Sequence, residues 1–238
     1  MNWNDQGIVL SARPHGESSL IVHLLTREHG RHAGLVRGGQ TVRGRGLYQP
    51  GNLVAAVWSG RLAEHLGTYS CELMAAHAAR ILDEPDRLLA LSAAAAILEQ
   101  TLPERQPHPA SFEGFLALLP CLGEAHWAEV YVKWELALLA ELGFGLDLDA
   151  CALGGDKDQL GYVSPKSGRA VSRGRGEPYR EKLLVLPDFL AGRGGGGGEA
   201  VSQGLTLTGY FLERHIYHPQ QRLLPSARRR LAERFLAA

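Results

Sequence analysis

The residues best suited to chemistry are arginines. Between Glu28 and Glu64 the sequence holds no acidic residue, yet Arg31, Arg37, Arg43, Arg45 and Arg61 all fall there. The whole chain balances 25 Lys+Arg against 25 Asp+Glu, so this stretch is a local excess rather than a general property. A guanidinium fork binds phosphate oxygens in pairs, and interspersed glycines let a backbone approach its ligand closely. Tyr48 and Trp58 lie in the same stretch, and rings of this type stack on unpaired bases. Gly38 to Gly46 (GGQTVRGRG) reads as a mobile basic loop. It lacks the Lys-Ser/Thr ending of a nucleotide-phosphate loop and follows no suitable strand–helix unit, which argues against nucleotide hydrolysis. Taken alone, the charges also fit a barrel with a merely solvated rim.

A second basic concentration lies near the C-terminus, with Arg214, Arg222, Arg228, Arg229, Arg230 and Arg234 against Glu213 and Glu233. Tyr210, Phe211, Ile216, Leu231 and Phe235 accompany them. A basic rim around an apolar groove suits an acidic peptide with hydrophobic anchors, or another phosphate backbone. The plainer reading is an amphipathic pair of helices with a solvated face. Histidines gather early, at 15, 23, 29 and 32, but nearby carboxylates are few, so solvated or phosphate-facing rings are expected rather than a metal site. The three cysteines, Cys71, Cys121 and Cys151, are far apart and form no CxxC pair, which suits a reducing cytosol. No nucleophile–base pair or paired carboxylates stand out by spacing. The sequence therefore predicts no catalytic residues, no metal and no cofactor, and a protein that is not an enzyme.

These residues need elements to position them. Ile8–Arg13, Leu20–Thr26, Arg31–Arg37, Leu53–Ser59 and Leu66–Cys71 read as five short strands punctuated by Gly, Pro and Asn, which suggests a small closed barrel. After about residue 72 the texture turns to Ala and Leu. Helices are predicted near Leu73–Leu82, Leu88–Leu98, Phe112–Leu119, Trp127–Leu142, Leu184–Leu190, Leu207–Tyr217 and Pro225–Leu236. Trp127, Tyr131 and Trp134 recur at helical spacing and read as core. Between residues 146 and 172, Tyr162–Ser164 and Ala170–Ser172 flank a turn and predict a β-hairpin, and the glycine run at 194–198 reads as a flexible loop. With 45% hydrophobic residues the chain can build a real core, and it shows no leader-like N-terminus or apolar run long enough for a membrane span. A cytoplasmic location follows as the expectation. The fold class expected is α+β, with a five-stranded barrel at about residues 1–78. A mainly helical domain with a hairpin insertion follows at about 79–238.

Several segments, in order along nearly the whole chain, carry a resemblance. They are Gly7–Val22 (GIVLSARPHGESSLIV), Gly34–Gly39 (GLVRGG), Leu47–Asn52 (LYQPGN), Trp134–Leu136, Leu142–Leu148 (LGFGLDL), Tyr162–Ser172 (YVSPKSGRAVS) and Leu207–His215 (LTGYFLERH). Together they resemble the RecO family of bacterial recombination and DNA-repair proteins. The resemblance implies an N-terminal OB-fold and binding of single- and double-stranded DNA. It also implies annealing of complementary strands and action on strands coated by single-strand-binding protein. Its implied partners are RecR, RecF in some settings, and RecA at gaps, in the cytoplasm at the nucleoid. Some family members carry a four-cysteine zinc module where the 146–172 segment lies. Cys151 takes the place of its first ligand, but Gly154 stands where the CxxC partner would be and no cysteine follows, so this chain looks like a zinc-free version.

On this reading Arg31, Arg37, Arg43, Arg45 and Arg61 contact phosphates and Tyr48 stacks on a base. Arg214, Arg222, Arg228 and Arg229 receive the acidic C-terminal tail of single-strand-binding protein. Two rivals stand beside it. A protein-interaction adaptor with a peptide-binding barrel would bind with little salt dependence. A nuclease would need a carboxylate or histidine cluster that the acid-poor stretch does not offer.

Overall fold

The structure is a computed structural model that describes residues 1–62 and 64–236. The chain divides into two compact units, Met1–Glu124 and the remainder from Ala125.

The first unit is built on five strands: β1 (Asn2–His15), β2 (Ser19–Thr26), β3 (Gly30–Val36), β4 (Leu53–Ser59) and β5 (Thr68–Ala75). Alternation decides which side chains face inward. In β3 every second residue is buried, starting at Gly30, and in β4 Val54, Ala56 and Trp58 point in. The strands close in the order β1-β2-β3-β5-β4, with antiparallel neighbours except where β3 meets β5 in parallel, Leu35 opposite Thr68. This five-stranded closure is the OB-fold arrangement that the strand pattern suggested. Gly7 and Ile8 of β1 pair with both β2 and β4, and a register shift follows between Val9 and Ser11. The interior is filled by Val9, Val22, Leu24, Val54, Trp58 and Tyr69, among others.

Two parts of this unit depart from the sequence reading. Gly38 to Gly46 is no slack loop, because it contains a short helix, α1 (Val42–Leu47), begun by Thr41, whose hydroxyl accepts the Gly44 N–H. The helix predicted near Leu73–Leu82 is instead the end of β5, where Leu73 lies opposite Val54 and Ala75 opposite Leu53, followed by a single 3-10 turn at Ala78–Ile81. Leu and Ala favour helix in isolation, but the ladder along β4 overrides that preference. Then come α2 (Pro85–Thr101) and α3 (Pro109–Cys121), each with proline in its first turn. Both pack against the barrel: a side chain on Gly51 would run into Leu91 of α2 and Leu119 of α3.

In the second unit α4 (Trp127–Glu141) precedes a small sheet of β6 (Leu160–Val163), β7 (Ala170–Ser172) and β8 (Leu184–Val185), in the order β7-β6-β8. The expected hairpin is therefore present, with a third strand where a helix was predicted. Val185 and Leu184 pair with Tyr162 and Val163, and Pro187 then blocks helix extension, leaving only a 3-10 turn at Asp188–Leu190. A one-turn helix, α5 (Arg173–Gly176), follows β7. The last helices are α6 (Gly198–Leu212), which widens into a π turn at Glu213–Tyr217, and α7 (Ser226–Leu236). Among the described residues no helix is long and apolar enough to cross a membrane.

Candidate nucleic-acid interface

The connection between β3 and β4 carries three of the five barrel arginines singled out by sequence, along with Tyr48. Arg37, Arg43 and Arg45 are all exposed, and none forms an ion pair with a described residue. Their backbone is well held. Gln40 donates from its side chain to the carbonyls of Gly16 and Ser19, and its own N–H donates to Ser18, tying this connection to the β1–β2 turn. Within the connection Gly44 lies so close to Gly39 that a Cβ there would collide with the Gly39 carbonyl. At the far end Asn52, itself buried, donates to the carbonyls of Gly46 and Leu47 and so caps the end of α1. Three guanidinium groups thus project from a short, pinned segment. Such an array suits a polyanion, because the backbone is ordered while the cations remain in water.

The other two arginines and Tyr48 are placed differently. Arg61 is exposed on the β4–β5 loop, next to Gly60, which exchanges hydrogen bonds with Met1. Arg31 is occupied: Nε donates to the Leu102 carbonyl at 2.8 Å, and the guanidinium pairs with Glu104 at 3.1 Å, leaving the side chain 15% exposed. Its chief partners are internal. Tyr48 corrects the expectation of a stacking residue, because it is only 6% exposed and forms part of the barrel core beside Cys71. Burial drives its hydroxyl pKa far above the usual phenol value. A ring packed there has no face to offer a base.

The C-terminal arginines also separate by environment. Arg228 is 1% exposed, and its guanidinium grips Glu135 through two hydrogen bonds of 2.5 and 2.9 Å. It also donates to the Leu205 carbonyl at 2.7 Å, while Thr208 donates to the same carboxylate. This corrects its assignment to a partner-facing surface, since the residue joins α4, α6 and α7 from within. Arg229 is exposed, Arg222 hydrogen-bonds Gln220, and Arg214 donates to the Pro165 carbonyl and the Tyr210 hydroxyl.

Sequence reasoning missed Glu135. Its signal was present: it falls one turn after Tyr131 on the apolar face of α4, where a lone carboxylate demands a buried cation. It also missed how the 146–172 segment is fastened. Ala152 donates to the Ala170 carbonyl, Asp147 donates to the Gly168 carbonyl, and Ala170 donates in turn to the Asp147 carbonyl. The Cys151 sulfur accepts the Ser172 N–H at 3.2 Å and lies 3.5 Å from its hydroxyl. Burial would raise the Cys151 pKa, but these donors and the amides of Leu153 and Gly155 outweigh it and bring it to about 7.

Comparison with known proteins agrees with this architecture. Residues 1–76 match the family model described as Recombination protein O N terminal, and residues 82–224 match Recombination protein O C terminal. The chain is 56% identical to a DNA repair protein RecO of Rhodospirillum centenum, covering 100% of this chain and 96% of that protein. It is 50% identical to the protein of the same name from Rhodospirillum rubrum (98% and 96%) and 49% identical to that of Methylobacterium nodulans (96% and 95%). With both halves matched in order and its length covered, the chain belongs to the RecO family.

Proposed function

We propose that the protein is a DNA repair and recombination protein that binds DNA through phosphate contacts and carries out no covalent chemistry of its own. The observation that carries this reading is the trio Arg37, Arg43 and Arg45, exposed on a pinned connection and without carboxylate partners among the described residues. A surface that neutralises two strands at once lowers their mutual repulsion and raises their effective concentration, which is what annealing requires. The finer reading is that the protein anneals complementary strands. In it the protein works with RecR and, in some settings, RecF to help RecA load on DNA coated by single-strand-binding protein, in the cytoplasm at the nucleoid. Arg61 extends the phosphate surface. Arg214, Arg222 and Arg229 remain the residues proposed for the tail of single-strand-binding protein, with Arg228 withdrawn from that set.

The test is a salt titration of binding to a fluorescent single strand, comparing wild type with Arg37→Ala/Arg43→Ala/Arg45→Ala. Steep weakening with salt in the wild type, and a shallower slope in the variant, are the expected results. Equal affinities at every salt concentration would remove this surface from the reading, and salt-independent binding would favour a peptide-binding barrel.

A further inference from the structure

A cavity of about 550 Å³ opens at the barrel end formed by the start of β1, the β2–β3 turn and the end of β4. It is separate from the connection that carries Arg37, Arg43 and Arg45. Its walls are largely aromatic. Trp3 lies flat against His29, with centroids 4.1 Å apart and planes within 8°, and continues to Trp58 at 5.7 Å and 12°. His32 meets Trp3 and Trp58 edge-on. Asp5 sets the outer ring: it accepts the backbone N–H groups of Gln6 and Glu28 and pairs with His29 Nδ1 at 3.0 Å. The stack therefore ends in an imidazole that is held in orientation yet 33% exposed.

The polar equipment of this cavity is specific. His32 is only 3% exposed, and its Nδ1 donates to the Ala33 carbonyl at 2.9 Å. Burial lowers its pKa below the ordinary imidazole value, so the ring is neutral near pH 7 and its Nε2 carries a lone pair. Among the described residues the ring's one hydrogen bond is the one from Nδ1, and the residue lines the cavity. Arg105 lines it too, held in a left-handed backbone conformation (φ 60°) with its N–H on the Arg31 carbonyl and its guanidinium on the Glu64 carbonyl. Arg61 is two residues from Ser59 on the neighbouring loop. Glu28 and Arg105 give the lining one charge of each sign, so no net positive charge calls for a phosphate inside it.

We propose that this cavity is a subsite for one unpaired nucleobase of a single strand. The base lies against the exposed ring of His29 and the cavity-facing edge of Trp3, presents an N–H to His32 Nε2, and leaves its phosphates toward Arg105 and Arg61. Size and chemistry agree: small-ligand sites of this volume are mostly apolar with a few fixed polar groups, and stacking on aromatic rings tolerates any base. The proposal rests on the DNA-binding reading above and adds a contact that senses bases rather than charge.

The test compares a labelled single strand of about 16 nucleotides with an abasic strand of the same length. The proteins are wild type, His29→Ala and His32→Phe, each checked by thermal melting. Wild type is expected to prefer the base-bearing strand by about tenfold. Both variants should narrow that ratio while their affinity for the abasic strand stays unchanged. A ratio near one in wild type, or one untouched in His29→Ala, overturns the subsite and leaves the phosphate reading intact. Failure of the wild type to bind either strand overturns both. Should His32→Phe not fold, His29→Ala decides alone, because its ring is partly exposed.

Discussion

Arg43 and Arg228 are the same residue in runs of similar composition, and they do opposite work. Arg43 sits on α1 with its guanidinium in water and no carboxylate partner among the described residues, on a backbone fixed by Gln40, Gly44 and Asn52. Arg228 sits on α7 with its guanidinium sealed against Glu135 and Thr208, where the side chain is the fastening and no water reaches it. In the first region the backbone is ordered so that a charge stays available. In the second a charge is consumed so that three helices stay together. The difference teaches that arginine density marks a ligand surface only where nothing in the fold answers the charge.

The comparison can be broken at its buried end first. Arg228→Ala leaves the Glu135 carboxylate without its cation and should destabilise the protein by about 3–5 kcal/mol, read by urea or thermal unfolding. Combining Arg228→Met with Glu135→Leu should recover most of that loss, because a matched apolar pair removes both desolvation costs. If the double variant is as unstable as the single one, the ion pair is not the source of the effect.

At the exposed end the prediction is the reverse. Arg37→Ala/Arg43→Ala/Arg45→Ala should leave the melting temperature within error of wild type. The same variant should flatten the plot of log affinity against log salt for single strands by about 2, at about 0.7 per lost phosphate contact. A changed melting temperature would mean that these side chains are structural after all. Gly44→Ala sharpens the point by leaving every arginine in place and pushing a methyl group at the Gly39 carbonyl. It should cost about 1–3 kcal/mol and also weaken DNA binding, since the backbone that presents the charges must shift.

The smallest effect concerns thiols. Cys151, at about 7, should alkylate with a rate that rises through neutral pH and levels off by about pH 8. Cys71, which burial pushes up to about 11 despite its contact with Tyr48, should stay slow over the same range. Mass spectrometry after brief iodoacetamide treatment checks both, and Ser172→Ala should shift the Cys151 profile to higher pH.

Much of the fold was legible in the sequence. Short apolar runs and Gly, Pro and Asn punctuation placed the five strands, although β1 begins at Asn2 rather than the predicted Ile8, and the spacing of Trp127, Tyr131 and Trp134 located α4. The misplaced elements share a cause: Leu73 to Ala75 and Leu184 to Val185 are strands because a partner strand lies beside them, and that is information from far along the chain. The candidate site was half legible. Charge and glycine content found Arg37, Arg43 and Arg45, but sequence could not show that Tyr48 turns inward or that Arg31 reaches the Leu102 carbonyl. The aromatic cavity was invisible because Trp3, the His29–His32 pair, Trp58 and Arg105 come from four places in the chain and form a wall only once the barrel closes.

The fastening of Arg31 has a consequence for how the protein is made. Its side chain reaches Leu102 and Glu104, its carbonyl accepts the Arg105 N–H, and Gly30 lies so close to the Gln106 carbonyl that only glycine fits. The separation is 71 residues for the first of these bonds. During synthesis, β2 and β3 emerge long before the segment that closes over the start of β3. The early barrel therefore waits with Gly30 and Arg31 uncovered until Leu102 to Gln106 have left the ribosome. A nascent chain stalled with β5 but not α2 outside the ribosome should have a β3 edge still open to proteases, and one stalled with all of α3 outside should be protected.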